Sequence, residues 1–123
     1  MTNPLKKSLA FALAASTAAM AGIPALAQEK PIQIGLIAPT SGIYARPGTV
    51  MKMGAELAVQ DVNEAGGISC MNGAPLELVV IDSGDTVEKA TNAAQRMVAE
   101  YPELVGGTGA YLSSFTLAVT EVT

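Results

Sequence analysis

Residues 32–38, IQIGLIA, form an almost wholly apolar run that Pro39-Thr40-Ser41-Gly42 ends. Such a run is typical of a strand buried on both faces, as in a parallel sheet. Two further strands are predicted, over 76–82 (LELVVID) and over the short stretch 104–106 (LVG). Segments with helical periodicity separate the strands and follow the last one. The pattern predicts an α/β fold with an open parallel sheet and flanking helices.

The three helical segments have recognisable ends. The first is predicted from about Pro47 or Gly48 to Ala65, and Gly66-Gly67 ends it. The second follows a predicted capping box, Asp85 to Glu88, and runs to about Glu100. The third begins at Ser113. The predicted buried faces are Val50, Gly54, Leu57, Ala58, Val62 and Ala65 in the first helix, and Val87, Ala90, Ala94, Met97 and Val98 in the second.

The first 27 residues have the three parts of a cleavable secretory signal peptide. Lys6 and Lys7 give a positive start, Leu9 to Ile23 is an uncharged apolar run, and Pro24 to Ala27 ends in small-x-small. A membrane anchor is the alternative, but the apolar run has 15 residues and a spanning helix needs about 20. We predict a signal peptide over 1–27 and a periplasmic mature chain from Gln28. No cysteine stands directly after the cleavage site to carry a lipid, since residue 28 is glutamine.

The chain after Ala27 has 96 residues, enough for one small domain over 28–123. Without Lys6 and Lys7 it carries 5 basic and 11 acidic residues, a net charge of −6. An acidic chain without a basic cluster argues against binding to nucleic acid and against electrostatic attachment to anionic lipid. We therefore predict no nucleic-acid partner.

The side chains that most enzymes use are scarce. The chain has no histidine and one cysteine, Cys70, so it lacks a histidine base for a nucleophile and a histidine ligand for zinc. Asp82 and Asp85 could form a carboxylate pair, but Asp85 is better explained as a helix cap. Cys70 has no partner for an internal disulfide and is expected to be an inert loop residue. We predict no catalytic residue, metal or cofactor.

The segment 106–116, GGTGAYLSSFT, joins the third strand to the third helix. In open α/β sheets ligands bind at this edge, and the free N–H groups of a helix start favour a carboxylate or phosphate. Ser113 and Ser114 add hydroxyls. The alternative is that Ser113 only caps the helix. A dinucleotide-binding loop is disfavoured, because Leu112 occupies the position of the third glycine.

The loop after the first strand is the second candidate. Thr40, Ser41 and Tyr44 should lie at the same edge of the sheet as Ser113. The Tyr44 ring can pack against an apolar group of a ligand, or it can cover the edge of the sheet. Both alternatives remain open.

Together these segments resemble the amino-terminal part of a periplasmic substrate-binding protein of the type I fold. The branch they resemble is the leucine/isoleucine/valine-binding type, which serves ABC importers. The shared motifs are a Ser-Gly turn, an offset glycine, a Gly-Ala-Glu-Leu-Ala helix, an Asn before Ala-Gly-Gly-Ile, a strand-ending aspartate and a serine-bearing helix start. Here they are Ser41-Gly42, Gly48, Gly54 to Ala58, Asn63, Ala65 to Ile68, Asp82 and Ser113-Ser114. The resemblance covers 28–123.

The resemblance implies two α/β lobes around a ligand cleft, with this chain forming part of the first lobe. It implies a small-molecule ligand, an amino acid or a related carboxylate or amide, and an ABC permease in the inner membrane as partner. Ser113, with Ser114, would hold the ligand's carboxylate, although an ungapped count places Ala110 and Tyr111 there instead. Pro47 stands where the family often has an aromatic residue, which leaves the side-chain specificity open.

Other functions fit the same sequence. The fold also serves signalling receptors as a ligand-sensing ectodomain, and an extracytoplasmic enzyme is disfavoured by the lack of histidine. The implied hinge and second lobe do not fit into 123 residues. We therefore also consider a non-functional truncated fragment, and expect 28–123 alone to be poorly folded and not to bind ligand appreciably.

Overall fold

A computed structural model describes residues 29–123, so the predicted signal peptide over 1–27 lies outside the described residues. Strands and helices alternate along the chain, as the sequence predicts. Strands β1, β2 and β3 span Ile32–Ala38, Leu76–Asp82 and Gly106–Gly109, and helices α1, α2 and α3 span Ala45–Glu64, Val87–Glu100 and Ser113–Thr120. No helix in the described range is both long and apolar enough to cross a membrane.

The three strands form one parallel sheet in the order β2-β1-β3. Strands β1 and β2 begin and end at the predicted residues, and they pair along their whole length, from Ile32 opposite Leu76 to Ala38 opposite Asp82. The carboxyl-terminal half of β1 is buried, as expected for a central strand under packed helices. The core unites β1, β2 and α2 through Ile37, Val79, Ile81, Ala93, Ala94 and Met97. The predicted α/β architecture with an open parallel sheet is confirmed.

The position predicted for the third strand is wrong. β3 spans Gly106–Gly109 rather than 104–106, and Val105 is 70% exposed. The ladder with β1 decides the position, since Ile34 to Ile37 pair with the four residues from Gly106 to Gly109. Glycine suits this strand because a Cβ at 107 would lie 3.3 Å from the Gly35 carbonyl oxygen and 3.6 Å from Met97 Cε. Main-chain pairing, and not side-chain hydrophobicity, determines this strand.

Helix α1 departs from its prediction in two ways. It begins at Ala45, directly after a 3-10 turn over Gly42–Tyr44. Its predicted apolar stripe is not a buried face, because Val50 is 63% exposed and Leu57 59% exposed. The helix instead packs through Gly48, its buried residue, and no described residue covers the Val50 and Leu57 side chains enough to bury them. The amphipathic pattern identified the helix but not the face that meets the sheet.

Helix α2 ends at the predicted Glu100 but has a different cap. Thr86 is the N-cap, and its hydroxyl accepts a hydrogen bond from the Lys89 N–H at 3.2 Å. Asp85 therefore does not cap the helix; its carboxylate accepts a hydrogen bond from the Lys89 ammonium at 2.7 Å. The predicted capping box is wrong because the helix starts one residue later than it requires. The buried face is Ala90, Ala93, Ala94 and Met97, while the predicted Val87 and Val98 are exposed.

Candidate functional site

The loops that follow the three strands gather at one edge of the sheet, because parallel strands end on the same side. We call residues 39–44 the β1 loop and residues 110–112 the β3 turn. The β1 loop carries the candidates Ser41 and Tyr44. The β3 turn carries Ala110 and Tyr111 and leads directly into Ser113 and Ser114. All six predicted site residues therefore belong to this carboxyl-terminal edge of the sheet.

The β3 turn has an unusual backbone. Ala110 and Tyr111 both adopt left-handed conformations, with φ of 73° and 57°, which residues with a Cβ seldom do. Ala110 is 2% exposed, and its N–H donates to the Ile37 carbonyl oxygen at 2.8 Å. The neighbouring Tyr111 remains 50% exposed. Such backbone strain persists only where the surrounding structure holds it, and it concentrates at functional sites.

The start of α3 presents polar groups to solvent. Leu112 occupies the N-cap position without a side-chain hydrogen bond, and Ser113 is the first helical residue. The alternative in which Ser113 caps the helix is therefore wrong. Ser113 and Ser114 are exposed, and their hydroxyls make no hydrogen bond within residues 29–123. The first backbone N–H of this helix to find an acceptor is that of Thr116, which donates to Leu112 at 2.9 Å, so the preceding N–H groups are free for a ligand.

Tyr44 connects the two loops. Its ring centroid lies 6.1 Å from that of Tyr111 and 6.2 Å from that of Phe115, in an edge-to-face arrangement with Phe115. These are typical distances for aromatic pairs. Phe115 is buried and Tyr44 half-buried, so Tyr44 packs over the edge of the sheet while part of its ring stays accessible. In this geometry Tyr44 can both cover the edge of the sheet and pack against an apolar group of a ligand.

Ser41 is held by a different group. Its backbone N–H donates to Asp82 Oδ1 at 3.2 Å, and within residues 29–123 it makes no hydrogen bond to the β3 turn. Burial raises the pKa of Asp82, but hydrogen bonds from the Ser41 hydroxyl and from the N–H groups of Gly84 and Thr40 outweigh it and hold the pKa below 3.8. The sequence places Asp82 at the end of β2 but does not by itself indicate that it binds the β1 loop. The one sequence feature that points to this role is its position at a strand end, beside a loop rich in N–H donors.

A concave region of the described chain borders the candidate site at Ala110 but extends away from it. A cavity of about 510 Å³ runs along the exposed flank of β3 between α2 and α3, and neither Ser113 nor Ser114 lines it. Its walls include backbone of the edge strand, so it marks an unpaired strand edge. We place the candidate site at the strand-end loops, because their free N–H groups and hydroxyls can bind a ligand, and not at this cavity. Cys70 is exposed in the loop before β2, outside both regions.

Comparison with known proteins identifies the family. A sequence profile described as "Periplasmic binding protein" matches residues 31–123. The chain belongs to the periplasmic binding protein family. The resemblance based on the sequence motifs is thus confirmed, and membership implies an extracytoplasmic location. The predicted signal peptide itself lies outside the described residues and stays a prediction.

Curated members of the periplasmic binding protein family include relatives named for amino acids. The leucine-, isoleucine-, valine-, threonine- and alanine-binding protein of Pseudomonas aeruginosa is 33% identical over 91 residues, which are 74% of this chain and 23% of that protein. Leu/Ile/Val-binding protein homolog 8 of Brucella abortus is 36% identical over 96 residues, 74% of this chain and 21% of that protein. Both relatives are named as binding proteins.

Solved structures of periplasmic binding proteins share the fold. The branched-chain amino acid transporter substrate binding protein LivJ of Streptococcus pneumoniae, in complex with isoleucine, superposes with a TM-score of 0.67 and 32% identity. The match covers 75% of this chain and 25% of LivJ. This periplasmic binding protein chain therefore spans about a quarter of the length of the relatives it matches.

Proposed function

We propose that this chain supplies part of the solute-binding component of an ABC transporter, which captures branched-chain amino acids or related small carboxylates or amides. The observation that carries the proposal is the start of α3, where free backbone N–H groups and the exposed hydroxyls of Ser113 and Ser114 follow the strained β3 turn. Three relatives of this chain are named for binding leucine, isoleucine or valine, or are complexed with isoleucine.

The proposed chemistry is recognition without reaction. The amino-terminal end of a helix carries partial positive charge and free donors, so it favours a carboxylate. Ser113 and Ser114 add hydroxyl donors, and the left-handed Ala110 and Tyr111 shape the approach. Tyr44 reaches the β3 turn from the β1 loop, which also carries Ser41. A chain without histidine offers no common base for a nucleophile, and we propose that it is not an enzyme.

The proposed setting is the periplasm. The chain would reach it through the signal peptide predicted over 1–27, and the ligand-loaded protein would deliver its solute to a permease in the inner membrane. The net negative charge of the chain after Ala27 disfavours nucleic acid as a competing partner.

Ser113→Ala should weaken ligand binding. In keeping with the expectation that 28–123 has no appreciable affinity, we expect the full chain, labelled with ¹⁵N, to bind L-isoleucine only weakly. The Kd should lie in the millimolar range, since a site open on one side buries little of the ligand. Loss of one hydroxyl donor to a carboxylate should raise the Kd about tenfold. The Kd is measured from amide chemical shifts during titration.

Thr120→Ala is the matched control. It removes an exposed hydroxyl from the same helix, one that donates to the Leu117 carbonyl oxygen at 2.9 Å, and the Kd should stay unchanged. An unchanged Kd in Ser113→Ala would contradict the assignment of the carboxylate to Ser113.

A further inference from the structure

One carboxylate oxygen joins two of the strand-end loops. Asp82 Oδ1 accepts hydrogen bonds from the N–H groups of Thr40 at 2.8 Å, Ser41 at 3.2 Å and Gly84 at 2.9 Å. Asp82 is the last residue of β2 and stands opposite Ala38, the last residue of β1. The side chain therefore fixes the path of the β1 loop relative to the loop that follows β2.

A second contact holds the same loop further along. Gly42 has φ of 73°, and a Cβ at this position would clash with the Asp85 carboxylate, so the backbone of the loop passes directly against that side chain. Asp85 is itself held by Lys89 at 2.7 Å. Two residues later, Tyr44 meets Tyr111 and Phe115. The β1 loop is thus tied at its start and middle before its aromatic residue reaches the β3 turn.

We propose that Asp82 is a positioning residue for ligand binding, which holds the β1 loop so that Tyr44 faces the β3 turn and the start of α3. The inference rests on the proposed function. It says that Asp82, which does not contact the ligand itself, determines the geometry of one side of the ligand site. Asp82 acts through the loop: its carboxylate oxygen is occupied by the three N–H donors. A neutral side chain in its place would hold these donors less strongly.

Hydrogen bonds to Asp82 favour its ionised form. On α2, the pKa of Lys89 is raised mainly by its hydrogen bond to Asp85, in the same loop as Gly84, and to a smaller extent by the charge of Asp82. The β1 loop contributes only the neutral groups of Thr40 and Ser41. Because the pKa of Asp82 lies below its usual 3.8, the clamp is complete at neutral pH. It should be lost as the pH falls through the lowered pKa.

The test uses ¹⁵N-labelled full chain, with Asp82→Asn compared with Asp61→Asn, an isosteric change of an exposed aspartate on α1. In Asp82→Asn we expect displaced amide signals of Thr40, Ser41 and Gly84 and weakened nuclear Overhauser effects between the Tyr44 and Tyr111 rings. The Kd for L-isoleucine should rise about fivefold, a loss typical of a weakened charged hydrogen bond. Asp61→Asn should change none of these.

The pH profile separates positioning from a general structural role. In the unmodified chain, the amide signals of Thr40, Ser41 and Gly84 should titrate together with one midpoint below 3.8, and the titration should vanish in Asp82→Asn. This profile also decides the matter if Asp82→Asn does not fold. Three separate midpoints in the unmodified chain would overturn the inference.

Failure of the inference differs from failure of the proposed function. If the unmodified chain binds L-isoleucine and Asp82→Asn binds it equally well with the Tyr44 and Tyr111 contacts intact, the positioning role is wrong and the function stands. If the unmodified chain shows no amide shifts with L-isoleucine even at the highest ligand concentration, the ligand site proposed at the start of α3 is wrong. The ring contacts in Asp82→Asn then decide: their loss supports Asp82 as the residue that holds the loop, and their retention overturns it.

Discussion

Replacement of Gly48 by alanine should destabilise the fold by about 3 kcal/mol, a typical upper value for a forced steric overlap. Gly48 is the buried residue of α1, at the point where the helix crosses the β1 loop. A Cβ there would lie closer than 3.0 Å to the carbonyl group of Pro39, a separation that real Cβ contacts essentially never show. The obstructing atoms are backbone, so no side-chain rotation can relieve the overlap. Helix and loop would have to separate.

Gly54→Ala is the matched control for this prediction. Gly54 lies in the same helix, and a Cβ there meets nothing within 4 Å. Alanine has the higher helix propensity, so Gly54→Ala should stabilise the chain by about 0.5–1 kcal/mol. The free energies of unfolding of both variants are to be measured by urea unfolding followed by circular dichroism, in a sucrose buffer that favours the compact state. Equal effects of the two substitutions would show that α1 does not pack through Gly48.

Gly109→Ala should be comparably damaging, for two reasons that act together. Gly109 has φ of 126°, a conformation that residues with a Cβ rarely adopt, and a Cβ there would overlap the Ile37 carbonyl oxygen. Strain of this kind costs about 1–3 kcal/mol before the overlap is counted. Because Ala110 and Tyr111 follow directly, the substitution should also displace the β3 turn and weaken ligand binding.

Gly106→Ala tests the same strand without either problem. A Cβ at 106 meets nothing within 4 Å, and its φ is not in the left-handed range. We expect a change of at most about 0.5 kcal/mol, as for most unobstructed surface positions. The two variants are compared by urea unfolding and by the amide signals of Tyr111 and Ser113. Undisturbed signals and stability in Gly109→Ala would contradict the described path of β3 into its turn.

The predictions that succeeded were those that local pattern decides. β1 is almost wholly apolar and β2 contains the apolar run 78–81, and their bounds follow from the sequence because buried parallel strands need such runs. β3 has no such run. Gly106–Gly109 forms a strand because its main chain pairs with that of β1. The predicted capping box is wrong because Thr86, and not Asp85, is the N-cap, which leaves the Asp85 carboxylate to pair with the Lys89 ammonium.

Some features of the candidate site could likewise be predicted from the sequence, and others could not. The serine-bearing helix start was predictable, because Ser113 follows a glycine-rich turn at a strand end. The left-handed Ala110 and Tyr111 were not, because nothing in the side chains themselves indicates a positive φ. The clamp at Asp82 depends on three N–H groups from two loops, and the donor most distant in sequence, Thr40, lies 42 residues from Asp82. Only the folded arrangement brings those donors to one oxygen.

The central claim is that the start of α3 binds the carboxylate of a small ligand. The most direct measurement compares L-isoleucine with L-isoleucinol, which has a hydroxymethyl group in place of the carboxylate, by amide chemical shifts of the full chain. We predict that L-isoleucine shifts the signals of Tyr111, Ser113 and Ser114 together with those of the β1 loop, and that L-isoleucinol does so at least about tenfold more weakly. Equal shifts with both compounds, or shifts confined to residues outside the β3 turn, the start of α3 and the β1 loop, would contradict it.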